Sequence, residues 1–138
     1  MHFTIFADGG ARGNPGPAGS GAVVRDEKGK TVATVSEFLG HTTNNVAEYT
    51  AILCALETLA AQLGDRTERA DISVYMDSKL VVEQMNGNYK IKHPNLKPLA
   101  SRVKELIPRF KAVTFAHVPR ERNKDADALA NEAMDRGS

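Results

Sequence analysis

The 138-residue sequence lacks several features that would place a chain in a special class. It has one cysteine, so no internal disulfide can form, and Cys54 falls in a helical apolar pattern that predicts a small buried side chain. No unbroken run of about eighteen apolar residues occurs, and the N-terminus has a strand-like pattern without the basic-then-apolar order of a signal peptide. We therefore expect a cytoplasmic protein that does not act at a membrane.

The sequence also has no excess of either charge. Eighteen Lys and Arg stand against 17 Asp and Glu, which gives a formal net charge of +1. Any affinity for nucleic acid must therefore come from local basic clusters and not from a global field. Because no repeat, linker or low-complexity segment interrupts the chain, we predict one domain over residues 1–138 that acts as a monomer.

The order of secondary structure elements changes along the chain. Residues 3–7 have a strand-like pattern that runs through Asp8 into residues 9–17, where glycine and proline are dense enough to predict an irregular loop. Two further strands, 21–25 and 31–38, flank a hairpin turn, so the first three strands form an antiparallel meander. After these come, in order, a helix over 44–63, a strand over 72–76, helices over 79–85 and 99–107, a strand over 112–118 and a last helix around 126–134.

This order predicts an α/β fold. Hairpins make antiparallel neighbours and crossovers through helices make parallel ones, so we expect a mixed five-stranded sheet, with three antiparallel strands and then two parallel strands, flanked by helices. The active face of such a sheet lies beside the carboxyl ends of its parallel strands.

Four carboxylates occupy the ends of these elements: Asp8, Glu48, Asp77 and Asp127. If they cluster, their mutual repulsion requires a cationic partner, and Mg²⁺ is bound by a few carboxylates together with waters and phosphate oxygens. Two such ions, roughly 3.5 to 4 Å apart, catalyse phosphodiester hydrolysis. A purely structural interpretation stays open for each residue: Asp77 with Ser78 as a helix cap, Asp127 with Asp125 as a complement to a helix dipole, and Asp8 as a turn residue.

Short motifs around these carboxylates resemble those of the ribonuclease H family, and the resemblance extends from Phe3 to Met134. The motifs occur in the family's order, and each carries one of its four carboxylates or the loop that follows the first. They are FADGG at residues 6–10, GNPGPAG at 13–19, TTNNVAE at 42–48, MDSKLVV at 76–82 and RNKDADALA at 122–130.

The resemblance implies a type 1 ribonuclease H, an endonuclease that cleaves the RNA strand of RNA–DNA hybrids and leaves 5′-phosphate and 3′-hydroxyl ends. It makes the four carboxylates the catalytic ligands of two Mg²⁺ ions, with Mn²⁺ as a possible substitute. It further implies that Asn14 and Asn45 contact RNA 2′-hydroxyls, which distinguish RNA from DNA, with Arg12 and Lys79 nearby. Thr43 matches a DNA-phosphate contact, although a helix N-terminal hydroxyl explains it equally well.

The chain departs from many family members in two places. The loop at 119–124 contains no histidine where many members carry a mobile one, and we expect Arg120 to replace it, as in archaeal-type and actinobacterial members. Because arginine cannot accept a proton near neutral pH, its role would be electrostatic. The chain also has no tryptophan and lacks the basic protrusion of other members, so Lys90 and Lys92 are the candidates for a reduced DNA-phosphate contact.

Two other functions compete with this interpretation. A catalytically silent hybrid-binding module would be expected to lack at least one carboxylate, and all four are present. A junction resolvase or transposase of the same fold would lack the sequence contexts of Asn14 and Asn45. The sequence leaves open whether the chain is free-standing or part of a fusion with a phosphatase, which metal it prefers, and whether it cuts double-stranded RNA or single embedded ribonucleotides.

Overall fold

A computed structural model describes residues 1–138 and contains a five-stranded sheet with four helices. The strands are β1 (His2–Ala11), β2 (Gly16–Arg25), β3 (Thr31–Thr42), β4 (Asp71–Met76) and β5 (Ala112–His117). The helices are α1 (Asn44–Leu63), α2 (Lys79–Met85), α3 (Lys97–Leu106) and α4 (Lys124–Arg136), with 3₁₀ turns at Gly64–Arg69, Ile107–Arg109 and Arg120–Arg122.

The strand order β3-β2-β1-β4-β5 confirms the predicted mixed sheet. β1, β2 and β3 pair antiparallel, whereas β4 lies parallel to both β1 and β5. The parallel pairs follow from the helical crossovers, because a chain that returns to the same end of the sheet runs in the same direction. The carboxyl ends of β1 and β4 therefore meet at one edge.

The predicted loop after Asp8 is wrong in its extent. β1 continues through Gly9 and Gly10 to Ala11, and these residues pair with Ser20, Gly19 and Ala18 of β2. Glycine weakens a strand locally, but the ladder to a neighbouring strand supplies the hydrogen bonds that local propensity does not. Only residues 12–15 stay outside the two strands.

Helices cover the sheet on both faces. α1 packs on β1, β2 and β3, and α4 packs on the opposite face of the same strands. α4 approaches β2 so closely that a Cβ on Gly21 would lie 2.2 Å from the Ala126 carbonyl oxygen. Because Gly21 has no side chain, the start of α4 can approach the sheet next to Asp8, which pairs with Gly21.

α1 is the core helix. Its segment Asn44–Arg69, including the following 3₁₀ turn, is long and apolar enough to cross a membrane by length and composition, and 61% of that window is buried inside the protein. Tyr49, Ile52, Leu56 and Leu59 are fully buried against the sheet. A core helix passes the same test as a membrane span, so the finding is weak evidence for a span.

Between α2 and α3 the chain forms turns and irregular structure over residues 86–96. The extra basic helix that some ribonucleases H insert here is absent, as the sequence predicted.

Candidate active site

The four predicted carboxylates line one cleft of about 460 Å³ at the shared edge of β1 and β4. Asp8 comes from β1, Asp77 follows β4, Glu48 lies in the second turn of α1, and Asp127 lies in the first turn of α4. The topology explains this convergence, because parallel strands deliver their carboxyl ends to the same edge.

Glu48 reaches the cleft because α1 begins directly against β1. A Cβ on Gly9 would lie 2.3 Å from the Ala47 carbonyl carbon, so glycine permits the contact. The Ser20 hydroxyl donates a 2.6 Å hydrogen bond to the Ala47 carbonyl and ties the same helix end to β2. The residue before Glu48 is thus fixed from two strands.

Ser78 and Asn123 fix the chain next to the two remaining carboxylates, Asp77 and Asp127. Ser78 Oγ accepts a hydrogen bond from Val81 N at 3.3 Å and caps α2. Asn123 is 1% exposed; its Nδ2 donates to the Ala7 carbonyl at 2.9 Å, and its carbonyl accepts from Asp127 N at 3.0 Å. Asn123 therefore links the start of α4 to the residue before Asp8.

These contacts bear on the structural interpretations left open above. The cap of α2 is Ser78 and not Asp77. Asp125 pairs with Arg25 at 2.6 Å, whereas Asp127 faces the cleft; both lie in the first turn of α4, where they also complement the helix dipole. Asp8 lies within β1 and is not a turn residue.

Burial and repulsion between carboxylates disfavour the charged forms of the acidic residues in the cleft. Burial, then repulsion from Asp77 and contact with Asp127, raise the pKa of Asp8 to about 8. Burial raises the pKa of Glu48 to about 7, a hydrogen bond from Ser78 opposes this, and repulsion from Asp77 adds to it. Burial and the charge of Glu48 also raise the pKa of Tyr49 to about 12. Burial is the largest cause of each of these shifts.

The donor set fits a divalent cation. Asp8 and Glu48 are each only 8% exposed, and buried carboxylates require a positive partner. In this structure no three or more His, Cys, Asp or Glu side chains are grouped so that they could hold a metal ion by themselves. Such incomplete coordination suits Mg²⁺, which keeps several waters and takes phosphate oxygens from its substrate.

Two arginines also line the cleft, and they differ in their partners. Arg120 Nη2 lies 3.8 Å from Asp127 Oδ1, and its side chain is 80% exposed. Arg12 forms a 2.6 Å ion pair with Asp135 of α4, so its guanidinium already has a carboxylate partner. Arg120 is therefore the more exposed and the more weakly paired of the two charges.

The other predicted substrate contacts lie outside the cleft lining. Asn14 Oδ1 accepts a 3.0 Å hydrogen bond from Asn44 N, and Thr43 Oγ1 caps α1 by accepting from Val46 N at 3.3 Å. The cap bears out the helix-terminus interpretation of Thr43, with which a phosphate contact is compatible. Asn45 lies in the first turn of α1, Lys79 is exposed at the start of α2, and Lys90 and Lys92 are exposed between α2 and α3.

Two cleft residues, Asn44 and Asn131, were missed in the sequence. Asn44 Oδ1 accepts a 2.7 Å hydrogen bond from Ala11 N, and Asn131 Nδ2 donates to the Asp127 carbonyl at 3.0 Å. Each lies four residues from a predicted carboxylate on the same helix, and this spacing places both on the carboxylate's face. That periodicity was the signal that could have found them.

Known proteins are similar to this chain over nearly its whole length. A family model described as reverse transcriptase-like matches residues 6–133. The bifunctional protein Rv2228c of Mycobacterium tuberculosis is 51% identical over 136 residues, covering 98% of this chain and 36% of that protein. Ribonuclease HI of Halobacterium salinarum is 43% identical (94% of this chain, 63% of that protein), and a ribonuclease H of Chromohalobacter salexigens is 34% identical (96% and 84%). The chain thus spans about a third of the length of the mycobacterial relative.

Solved structures are similar over nearly the whole chain. The N-terminal ribonuclease H domain of Rv2228c superposes with a TM-score of 0.89 at 46% identity, covering 97% of this chain and 99% of that one. A compost-derived ribonuclease H1, solved with an RNA/DNA hybrid, reaches a TM-score of 0.91 at 47% identity, with 97% of each chain covered. By sequence and by fold, the chain belongs to the ribonuclease H family, in its type 1 branch with actinobacterial and archaeal relatives.

Proposed function

We propose that this protein is an endonuclease that hydrolyses the RNA strand of RNA–DNA hybrids with two divalent cations, leaving 5′-phosphate and 3′-hydroxyl ends. The observation that carries the proposal is the set of four carboxylates, two of them buried, lining one cleft with no paired cation except the exposed Arg120. A family relative solved with a hybrid supports the substrate class.

The chain's own residues would act by holding and positioning. Asp8, Glu48, Asp77 and Asp127 would hold Mg²⁺, or Mn²⁺ in its place, which when bound activates the attacking water and stabilises the leaving oxygen. Asn123 sets the start of α4, and with it Asp127, against β1. Arg120 reaches Asp127 from solvent and would stabilise negative charge on the scissile phosphate or the leaving group.

Selectivity for RNA would come from the residues beside the cleft. Asn14 and Asn45 stay our candidates for 2′-hydroxyl contacts, and the hydrogen bond from Asn44 N to Asn14 Oδ1 joins the 12–15 loop to the start of α1. This hydrogen bond would hold Asn14 and Asn45 at a fixed distance from each other. Arg12, Thr43 and Lys79 would contact the same substrate at its sugars and phosphates.

A cleavage assay tests the proposal directly. A 5′-labelled RNA strand in a hybrid is incubated with the protein and Mg²⁺ or Mn²⁺, with Asp77→Asn as the matched control. We expect cleavage by the wild type only, with product ends that a ligase requiring a 5′-phosphate can join. Cleavage no faster than that of Asp77→Asn contradicts the proposal, and equal cleavage of a DNA duplex assigns the chain to another nuclease class of this fold.

We also propose that the protein acts as a cytoplasmic monomer. Cys54 is a free thiol on α1, partly buried, and burial raises its pKa, which disfavours the reactive thiolate. Light scattering coupled to gel filtration is expected to give a mass near 14.9 kDa for this chain. A stable dimer would contradict the monomer.

A further inference from the structure

A second groove, of about 490 Å³, lies between α3 and the turn that follows α2. Three lysines line it, Lys90 from the turn and Lys97 and Lys104 from α3, together with the half-exposed ring of Tyr89. No aspartate or glutamate lines this groove. We call these four residues the lysine groove.

The positive charge of the lysine groove is not neutralised within the chain. All five ion pairs of the protein use arginine, so Lys90, Lys97 and Lys104 have no carboxylate partner. Lys97 and Lys104 are seven residues apart on α3 and therefore share a helix face. In a chain whose net charge is only +1, three unpaired ammonium groups around one groove are a strong local concentration of charge.

Hydrogen bonds to α1 and α2 hold the turn of the lysine groove in place. Gln84, which is 7% exposed, accepts a 2.8 Å hydrogen bond from the Tyr49 hydroxyl and donates through Nε2 to the Lys90 carbonyl at 3.4 Å. The backbone N–H of Tyr89 donates to the Glu83 carbonyl at 3.2 Å. The segment carrying Lys90 is thus anchored to α1 and α2, which lowers the entropic cost of binding.

The lysine groove also lies within reach of the cleft. α2 starts two residues after Asp77 and ends at the groove, and its seven residues rise about 10 Å. Tyr49, which supports Gln84, is next to Glu48 in α1. The length of α2 therefore equals about three phosphate spacings of one strand, at about 3.4 Å each.

From this geometry we infer that the lysine groove binds the phosphate backbone of the substrate duplex a few nucleotides from the scissile bond. Lys90, Lys97 and Lys104 contact phosphate oxygens, and the Tyr89 ring packs against a sugar. Lys92, the other lysine singled out in the sequence, does not line the groove. The inference rests on the proposed nuclease function and adds Lys97 and Lys104 to the substrate contacts.

The test compares two charge-matched double variants. Lys97→Gln with Lys104→Gln alters the groove, whereas Lys28→Gln with Lys30→Gln alters exposed lysines in the β2–β3 turn, at the end of β1 far from Asp8. For the groove variant we expect a KM for the hybrid roughly tenfold higher at unchanged kcat. We also expect the slope of log(kcat/KM) against log[NaCl] to be less steep by about 2, one unit per lost phosphate contact. The turn variant should match the wild type.

Binding in an inactive background separates the two proposals. The same pairs of substitutions are placed in Asp77→Asn, and the Kd for a fluorescent hybrid is measured by polarisation at several salt concentrations, after circular dichroism shows each variant folded. Equal Kd values and salt slopes for the groove and turn variants overturn the groove inference, whether or not the wild type cleaves. If the wild type does not cleave but the groove variant binds the hybrid more weakly than the turn variant, the nuclease function is overturned. The groove is then still a nucleic-acid contact.

Discussion

Asp8 is the side chain whose environment departs most from that of a free carboxylate. Its pKa of about 8 follows from burial first and from Asp77 and Asp127 next. A carboxyl whose folded-state pKa is raised stabilises the fold below its ordinary pKa near 3.8, and this contribution is lost as the pH rises through about 8. Metal-free protein should therefore lose stability between pH 4 and pH 8.

Asp8→Asn removes this loss, because the amide is neutral at every pH. In EDTA we expect the variant to melt roughly 10 °C or more above the wild type at pH 9 and only a few degrees above it at pH 5, as measured by calorimetry. Asp125→Asn, in an exposed ion pair on α4, is the control and should show no such pH-dependent gap. A gap that is constant from pH 5 to 9 would contradict the assignment to Asp8.

Arg120 should contribute to catalysis through its charge and not through proton transfer. Arg120→Ala is expected to lower kcat about tenfold or more with little change in Tm, since the side chain is 80% exposed. Arg120→Lys should recover part of the loss. The measurement is kcat at saturating hybrid between pH 6 and 9, and a histidine-like pH step in the wild type that disappears in Arg120→Ala would argue against an electrostatic role.

Among the elements, the contact between β1 and α1 decides where Glu48 lies. Gly9→Ala would place a Cβ 2.3 Å from the Ala47 carbonyl carbon and 2.5 Å from Glu48 N, so the helix start must move. We expect a loss of about 2 kcal/mol in the free energy of unfolding and a larger loss of kcat than of substrate affinity.

Gly10→Ala is the matched control for this prediction. The Cβ of an alanine at position 10 would meet nothing nearer than 3.8 Å, from Met134 Cε. Urea unfolding and kcat of Gly10→Ala should both stay close to the wild type. If the two variants are equally stable and active, the close approach of β1 to α1 is not what positions Glu48.

At the level of the whole molecule, cation binding and folding should be coupled. Because ligand carboxylates must be deprotonated, Mg²⁺ competes with the protons held by Asp8 and Glu48. At pH 8, Mg²⁺ at tenfold its Kd should stabilise the protein by about 1.4 kcal/mol, or roughly 5 °C in Tm. At pH 5.5 the same concentration should give a smaller shift, and Asp77→Asn should give little at either pH.

Much of the architecture could be predicted from the order of local patterns. The three-to-four spacing in α1 and the alternation in β4 are periodic signals that depend only on neighbouring residues, and the crossovers then make the β1–β4–β5 pairing parallel. The four carboxylates were picked out because each was predicted to lie near the end of an element and stands in a family motif. The periodicity that could also have pointed to Asn44 and Asn131 was overlooked, although it is equally local.

What sequence by itself determined is therefore the set of elements, the carboxylates and the family. Tertiary structure alone decided that Gly9–Ala11 continue β1, that Arg12 is held by Asp135, and that Lys97 and Lys104 lie with Lys90 around one groove. The physical reason is that strand ladders, ion pairs and grooves join residues far apart in the chain. Their energies depend on the distances that packing sets and not on the propensities of adjacent residues.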